Sequence, residues 1–312
     1  MGKGKSLKSA LQSQQSRQKH KEQITKAARL SEQKANSTKQ PRKRKVLAPS
    51  TSKPTIPFSA TDTILLIGEG NFSFARALIQ DAPLPLTHIP PGNITATAYD
   101  SEEECYSKYL DAQEIVALLR ERGVEVHFGV DASKLDKIAL LKGRRWDRIC
   151  WNFPHAGKGI TDQDRNILSN QVLVLNFLRA AASLLKIGPM PSVTGSKKKK
   201  RANDDDDDDE EVEDADEDKS VETGTRGTIL ITLRNVPPYT LWEIPKLAKH
   251  PPPPTSGSTP PNPAYIILRS FVFHRDIWKG YEHRMTKGER AHGTGKTGEG
   301  GEDRTWEFCL KD

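Results

Sequence analysis

The stretch Ile64-Leu65-Leu66-Ile67-Gly68-Glu69-Gly70-Asn71-Phe72-Ser73 decides the fold of this chain. Four branched apolar residues in a row, ended by glycine, describe a short strand buried on both faces, as in a parallel sheet. Glycines beyond it let the backbone turn sharply into a helix and pass close to a ligand. In a doubly wound sheet this place, outside the carboxyl end of the first strand, is where a nucleotide binds. A dinucleotide loop would carry a third glycine where Ser73 stands, and would set its pyrophosphate on the helix amino terminus. Glu69 in mid-loop repels a pyrophosphate and attracts an ammonium, which favours S-adenosylmethionine over NAD. A plain structural turn would account for the two glycines as well.

Working outward, residues 71–80 read as a helix and 94–99 as a second strand ending at Asp100. Residues 102–122 form one helix with Tyr109, Ile115, Val116 and Leu119 near one face. A third strand follows at 124–128, a short helix at 133–141, and a fourth strand at 148–151. A long helix covers 164–185, a fifth strand 228–233, and a helix 241–249 that is stopped by prolines 251–254. Two last strands, 264–273 and 305–310, have no long helix between them. Strands alternating with helices predict an α/β fold, and the ending predicts a terminal antiparallel pair. The class that fits is a class I methyltransferase Rossmann-like fold, a mostly parallel seven-stranded sheet with a terminal antiparallel strand, rather than a dehydrogenase.

Only part of the 312 residues suits a packed body, since 35% are hydrophobic and 6% aromatic. Residues 1–53 hold fifteen Lys and Arg against Glu22 and Glu32, whereas the rest is net acidic, chiefly through Asp204 to Asp218. These blocks cannot bury a core. The organisation expected is a disordered basic arm at 1–60 and a Rossmann-like domain at 61–312, interrupted by a disordered charged insertion at 190–225. The arm suits contact with phosphates or an import receptor. Cys105, Cys150 and Cys309 give no CxxC or Cys/His spacing, so neither a disulfide framework nor a metal site is expected. No run approaches the roughly twenty apolar residues of a membrane span, and a soluble intracellular monomer is expected.

Asp100, at the tip of the second strand, is placed to accept hydrogen bonds from ribose hydroxyls, or else to cap the helix that follows. Asp131, just past the third strand, is placed either to meet an adenine amino group or to cap a turn. The fourth strand ends in Asn152-Phe153-Pro154-His155. This tetrapeptide resembles the (Asp/Asn)-Pro-Pro-aromatic loop of nitrogen methyltransferases, with Phe153 replacing the first proline and His155 the aromatic. In that loop a carboxamide or carboxylate and a backbone carbonyl hold the target nitrogen while a ring stacks on the base. His155 is a candidate general base for an imide proton, or a surface histidine beside Gly157 and Gly159. Cys150 lies inside an apolar strand, where a small core residue is expected rather than a nucleophile.

The motifs GEGNFSFARAL, TAYDS, WDRICWNFPHAGKG, NQVLVLNFLRAA, ITLRNVPPYTLWEIPKLA and SFVFHRDIWKGYEHRMT, spanning about residues 60–285, resemble the eukaryotic 25S-type ribosomal RNA (uridine-N3)-methyltransferases. The resemblance implies S-adenosylmethionine as donor, ribosomal RNA in pre-ribosomal particles as substrate, and the nucleus and nucleolus as workplace. The donor would lie on Gly68, Glu69, Gly70, Asn71, Phe72, Ser73, Asp100 and Asp131, and the acceptor base at Asn152, Phe153, Pro154 and His155. Lys279, Tyr281 and Arg284 mix cations with a ring, as in RNA contacts, although an ordered loop would use them as well. Two competitors remain at this stage: a ribosome-assembly factor that keeps the fold without transferring methyl groups, and an NAD-dependent oxidoreductase.

Overall fold

The computed structural model describes residues 54–191, 224–254, 259–285 and 301–312. Apart from their inner edges, the expected basic arm and charged insertion lie outside the described residues.

Five parallel strands form the body of the sheet: β1 (Ile64–Ile67), β2 (Ile94–Thr97), β3 (Glu125–His127), β4 (Arg148–Asn152) and β5 (Thr228–Arg234). The spatial order is β3-β2-β1-β4-β5-β7-β6, with β7 (Asp303–Leu310) running antiparallel between β5 and β6 (Tyr265–Val272). The order reverses beside β1, because β1 pairs with β2 on one side and β4 on the other. That switch opens a crevice at the strand tips.

All four β1 residues are buried, and the period of two divides them between layers. Ile64 and Leu66 face one apolar layer with Phe74, Leu78, Ile115 and Leu119, from α1 (Ser73–Gln80) and α3 (Ala112–Arg122). Leu65 and Ile67 face the other with Val174, Phe177, Leu178 and Ala248, from α4 (Gln163–Ala181) and α5 (Ile244–Lys249). By length and apolarity alone, Gln163–Leu184 would also pass for a membrane span, contrary to the sequence expectation that no run comes close. Its buried Val174, Phe177 and Leu178 pack in the second layer, as in a core helix.

The helix expected over 102–122 is two, α2 (Glu102–Lys108) and α3, because Tyr109 leaves helical geometry at φ −131°, ψ 104°. Its ring is buried and its hydroxyl donates to the Met285 carbonyl at 2.8 Å. A long-range contact thus outweighs helix propensity. The helix expected at 133–141 is a pair of 3-10 turns, Ala132–Lys137 and Ala139–Leu141.

At the far end of the sheet Arg148, 2% exposed, pairs with Asp62 at 3.1 Å and Glu307 at 3.8 Å. Glu307 also takes Arg269 at 2.6 Å. The neighbouring guanidinium groups hold the Glu307 carboxyl below its ordinary range in spite of burial.

Candidate active site

The turn from β1 to α1 is set by packing from below and by hydrogen bonds from the side. Gly68 has φ +65°, and a Cβ there would lie 2.9 Å from Trp151 Nε1, so both backbone and space require glycine. The Glu69 N–H donates to Thr97 O at 2.8 Å, fastening the loop to β2. Its side chain turns inward, where Oε2 accepts the Ala75 N–H at 3.1 Å in the first turn of α1. Burial pushes this carboxyl up to about 7, against the opposing pull of the Ala75 and Phe74 amides. Asn71 Nδ2 donates to Asp111 at 2.8 Å, and its Oδ1 accepts the Ser73 N–H at 3.2 Å. Phe72 stands at φ 62° with its ring buried edge-on to Phe128, 5.3 Å between centroids, so it offers the loop its backbone only.

Asp100 does not cap α2. Ser101 does, in a capping box with Glu104: Ser101 Oγ accepts the Glu104 N–H at 3.2 Å, and Glu104 Oε2 the Ser101 N–H at 2.9 Å. The Asp100 carboxylate instead meets Lys108 Nζ at 2.6 Å at the edge of the crevice. Asp131 does cap its turn: Oδ1 accepts from Ser133 N and Oγ at 2.9 and 2.6 Å, while Oδ2 pairs with Lys134 at 3.0 Å. These partners hold the Asp131 carboxyl below its ordinary range against partial burial.

Past β4, Phe153 takes the left-handed conformation at φ 53°, uncommon for a bulky residue and a sign of local constraint. Its N–H donates to Thr232 O at 2.8 Å. Its ring stands 4.9 Å from the Arg275 guanidinium and 4.3 Å from the His283 imidazole. Pro154 is buried, whereas His155 is exposed with Nδ1 accepting the Gly157 N–H at 2.9 Å. The loop is held from α4: buried Asn170 accepts the Ala156 N–H at 2.8 Å and donates to the Asn166 carbonyl at 2.9 Å. Cys150 is buried, and burial raises its thiol well above the ordinary value, so it is a core residue and not a thiolate nucleophile.

The segment 280–285 crosses over the glycine loop. Gly280 O accepts from Arg76 Nη2 at 2.8 Å, Ser73 Oγ bonds both the N–H and the carbonyl of Glu282, and Arg284 pairs with Asp111 at 3.0 Å. A Cβ on Gly70 would stand 3.1 Å from Arg284 Cβ. Tyr281 packs edge-on against Phe74 and Phe273, at 5.3 and 6.0 Å. Its ring is half-buried between these contacts and the cleft wall. Arg284 is committed to Asp111 and Glu282, and of the three expected RNA contacts only Lys279 is exposed.

Gly68 to Asn71, Ser73, Asp100, Asp131, Asn152, Phe153, His155, Tyr281 and Arg284 line one cleft of about 750 Å³, within the range of ligand pockets. Phe72, Pro154 and Lys279 are not among its walls. Sequence reasoning missed Lys108, Tyr109, Ser169, Asn176 and His283, which are. Asn170 had a readable signal, a second carboxamide four residues after Asn166 in an apolar helix; Ser169 and His283 had none until the chain was folded. Among the described residues no group of three or more His, Cys, Asp or Glu could hold a metal.

The BMT5-like family model, described as rRNA (uridine-N3-)-methyltransferase BTM5-like, matches residues 65–285. The chain belongs to this family. Membership makes the protein a ribosomal RNA methyltransferase and fits the observed sheet, with its antiparallel β7 inserted beside β5. The 25S rRNA (uridine(2634)-N(3))-methyltransferase of Saccharomyces cerevisiae is 30% identical over 255 residues, 75% of this chain and 69% of its own. An uncharacterized Arabidopsis thaliana protein is 38% identical over 132 residues, 41% of this chain and 60% of its own. A ferredoxin-fold anticodon-binding domain-containing protein 1 homolog of Mus musculus is 37% identical over 122 residues, 39% of this chain but only 18% of its own. The BMT5-like match covers both the glycine loop and the segment that crosses it.

Proposed function

We propose that this BMT5-like protein transfers a methyl group from S-adenosylmethionine to N3 of a uridine in large-subunit ribosomal RNA, working on pre-ribosomal particles in the nucleolus. The observation that carries the reading is that the β1 glycine loop, Asp100 and the Asn152–His155 turn wall a single cleft. The residues present fit the donor: a carboxylate at the β2 tip for a diol, a buried carboxyl in the loop for an ammonium, and apolar Val130, Ala132 and Leu173 for an adenine. The donor supplies an electrophilic methyl on a sulfonium. Asp100 would exchange Lys108 for the ribose hydroxyls, and Glu69, given up its proton, would take the ammonium. Asn152 would orient the uracil edge, with Phe153 fixing the plane of the ring.

Because transfer needs the nitrogen in line with the methyl group, positioning supplies much of the rate. The contacts of Phe153 with Arg275 and His283 and the Asn170 tether, which fix the acceptor loop, serve that purpose. Outside the cleft, Lys279 and the Lys- and Arg-rich residues 1–53 would neutralise RNA phosphates. Tyr281 and Arg284 would act by holding the crossing segment rather than by touching RNA.

Calorimetry with S-adenosylhomocysteine and with NADH, followed by labelled methyl transfer to large-subunit rRNA fragments, tests the reading. Expected are binding of S-adenosylhomocysteine alone and N3-methyluridine in the digested product. Preference for NADH, or donor binding without transfer to RNA, would overturn it, the latter in favour of a non-catalytic assembly factor.

A further inference from the structure

His283 is a polar ring in the cleft to which the proposed mechanism gives no task. Both its neighbours are pinned, Glu282 through its main chain to Ser73 Oγ at 3.0 and 3.1 Å, and Arg284 to Asp111 at 3.0 Å. The imidazole therefore has a fixed place, 4.3 Å from the Phe153 ring and tilted 48° to it. It lines the cleft, and neither of its nitrogens has a hydrogen-bond partner among the described residues. The charged groups around it are Arg275, which follows β6, Arg234 at the end of β5, Asp303 bonded to Arg275 at 2.6 Å, and adjacent Glu282. Burial and the two cations push the imidazole down to about 4, so it is neutral at physiological pH.

His155 differs in the feature that matters, since its Nδ1 already accepts the Gly157 N–H and a base would need that lone pair. A ring as weakly basic as His283 is also a poor acceptor for an imide proton. A neutral imidazole nevertheless keeps one N–H to donate. Uracil N3 lies between two carbonyls, and when its proton leaves the charge spreads onto O2 and O4.

We propose that His283 donates a hydrogen bond from its imidazole N–H to one of these uracil carbonyl oxygens, stabilising the anionic ring during transfer. The N3–H bond breaks with the proton passing to water, and N3 forms its bond to the methyl carbon. The carbon–sulfur bond breaks with its electron pair staying on sulfur. The proposal rests on the uridine-N3 reading above.

His283→Phe keeps a ring against Phe153 and removes the donor. Expected is a fall of about 100-fold in single-turnover transfer, the scale for loss of one donor to a developing oxyanion. The Kd for S-adenosylhomocysteine should stay within about threefold, an expectation set by the ring lying on the acceptor side of the cleft. RNA carrying 5-fluorouridine, whose N3 is more acidic, should shrink the defect, because less charge stabilisation is then needed. A wild-type rate, or the same loss on both RNAs, would overturn the proposal, the second result marking a merely structural role. Should His283→Phe not bind S-adenosylhomocysteine, His283→Leu, which also lacks the donor, is put through the same comparison. A wild-type protein that binds S-adenosylhomocysteine but leaves uridine unmodified would instead overturn the functional reading beneath it.

Discussion

At the scale of single residues, Glu69 shows how a loop can hold a charge in reserve. Two amides at the start of α1 favour its carboxylate, yet burial outweighs them and the pKa rises from 4.5 to about 7. A carboxyl raised on folding stabilises the native state below the unfolded value of 4.5, and that contribution is lost as pH climbs through about 7. Glu69→Gln should therefore be more stable than wild type at pH 8, by at most about 3 kcal/mol, with the advantage gone near pH 4.5. It should also weaken S-adenosylhomocysteine binding, since the ammonium loses its carboxylate. Thermal melts at both pH values check the first half, and a gap that does not change with pH would mean the carboxyl is already ionised in the native state. Gly68 was legible from sequence as a turn, but the reason no side chain fits is Trp151, a residue 83 positions away that only the fold brings underneath.

Among the elements, α4 does two jobs from one buried face, its two ends facing different neighbours. Val174, Phe177 and Leu178 seal the second apolar layer, while Asn166 and Asn170 reach the acceptor loop. Asn170→Leu would leave the Ala156 N–H without its partner, a loss of roughly 1–3 kcal/mol for a buried donor. Expected are faster hydrogen exchange at Ala156 and Gly157, about tenfold slower methyl transfer, and unchanged affinity for S-adenosylhomocysteine. Unchanged exchange at Ala156 would show that the tether does not set the loop. The apolar period of α4 and the Asn166/Asn170 pair within it could be read from sequence, but the partner of those carboxamides could not, because helical spacing does not say what lies opposite. The break between α2 and α3 was hidden for the same reason: residues 102–122 favour a continuous helix, and the pull on Tyr109 comes from Met285.

For the whole molecule, the sheet separates stability from chemistry. The Arg148–Asp62–Glu307 network lies where β4 begins, four residues from the acceptor turn at its other end. Arg148→Ala would leave the buried Asp62 carboxylate without its cation, Glu307 keeping Arg269, and should cost about 3–5 kcal/mol. Chemical denaturation measures that cost, and well below the transition the Kd for S-adenosylhomocysteine should not change. Altered donor binding in the folded variant would mean that the two ends of the sheet are coupled.

The chain's own order of residues determined the strand set, the glycine turn, the acids at the strand tips and the antiparallel ending, because a period of two, a run of branched side chains and glycine punctuation act over a few neighbours. Tertiary structure alone decided which side chains remain available for ligands. Phe72 went to the core, Tyr281 to a half-buried place against it at the cleft wall, Arg284 to Asp111, and His283 to a half-buried place beside Phe153. Those outcomes depend on contacts between segments as much as 209 residues apart, such as Ser73 with Glu282, and no local pattern encodes a partner that distant.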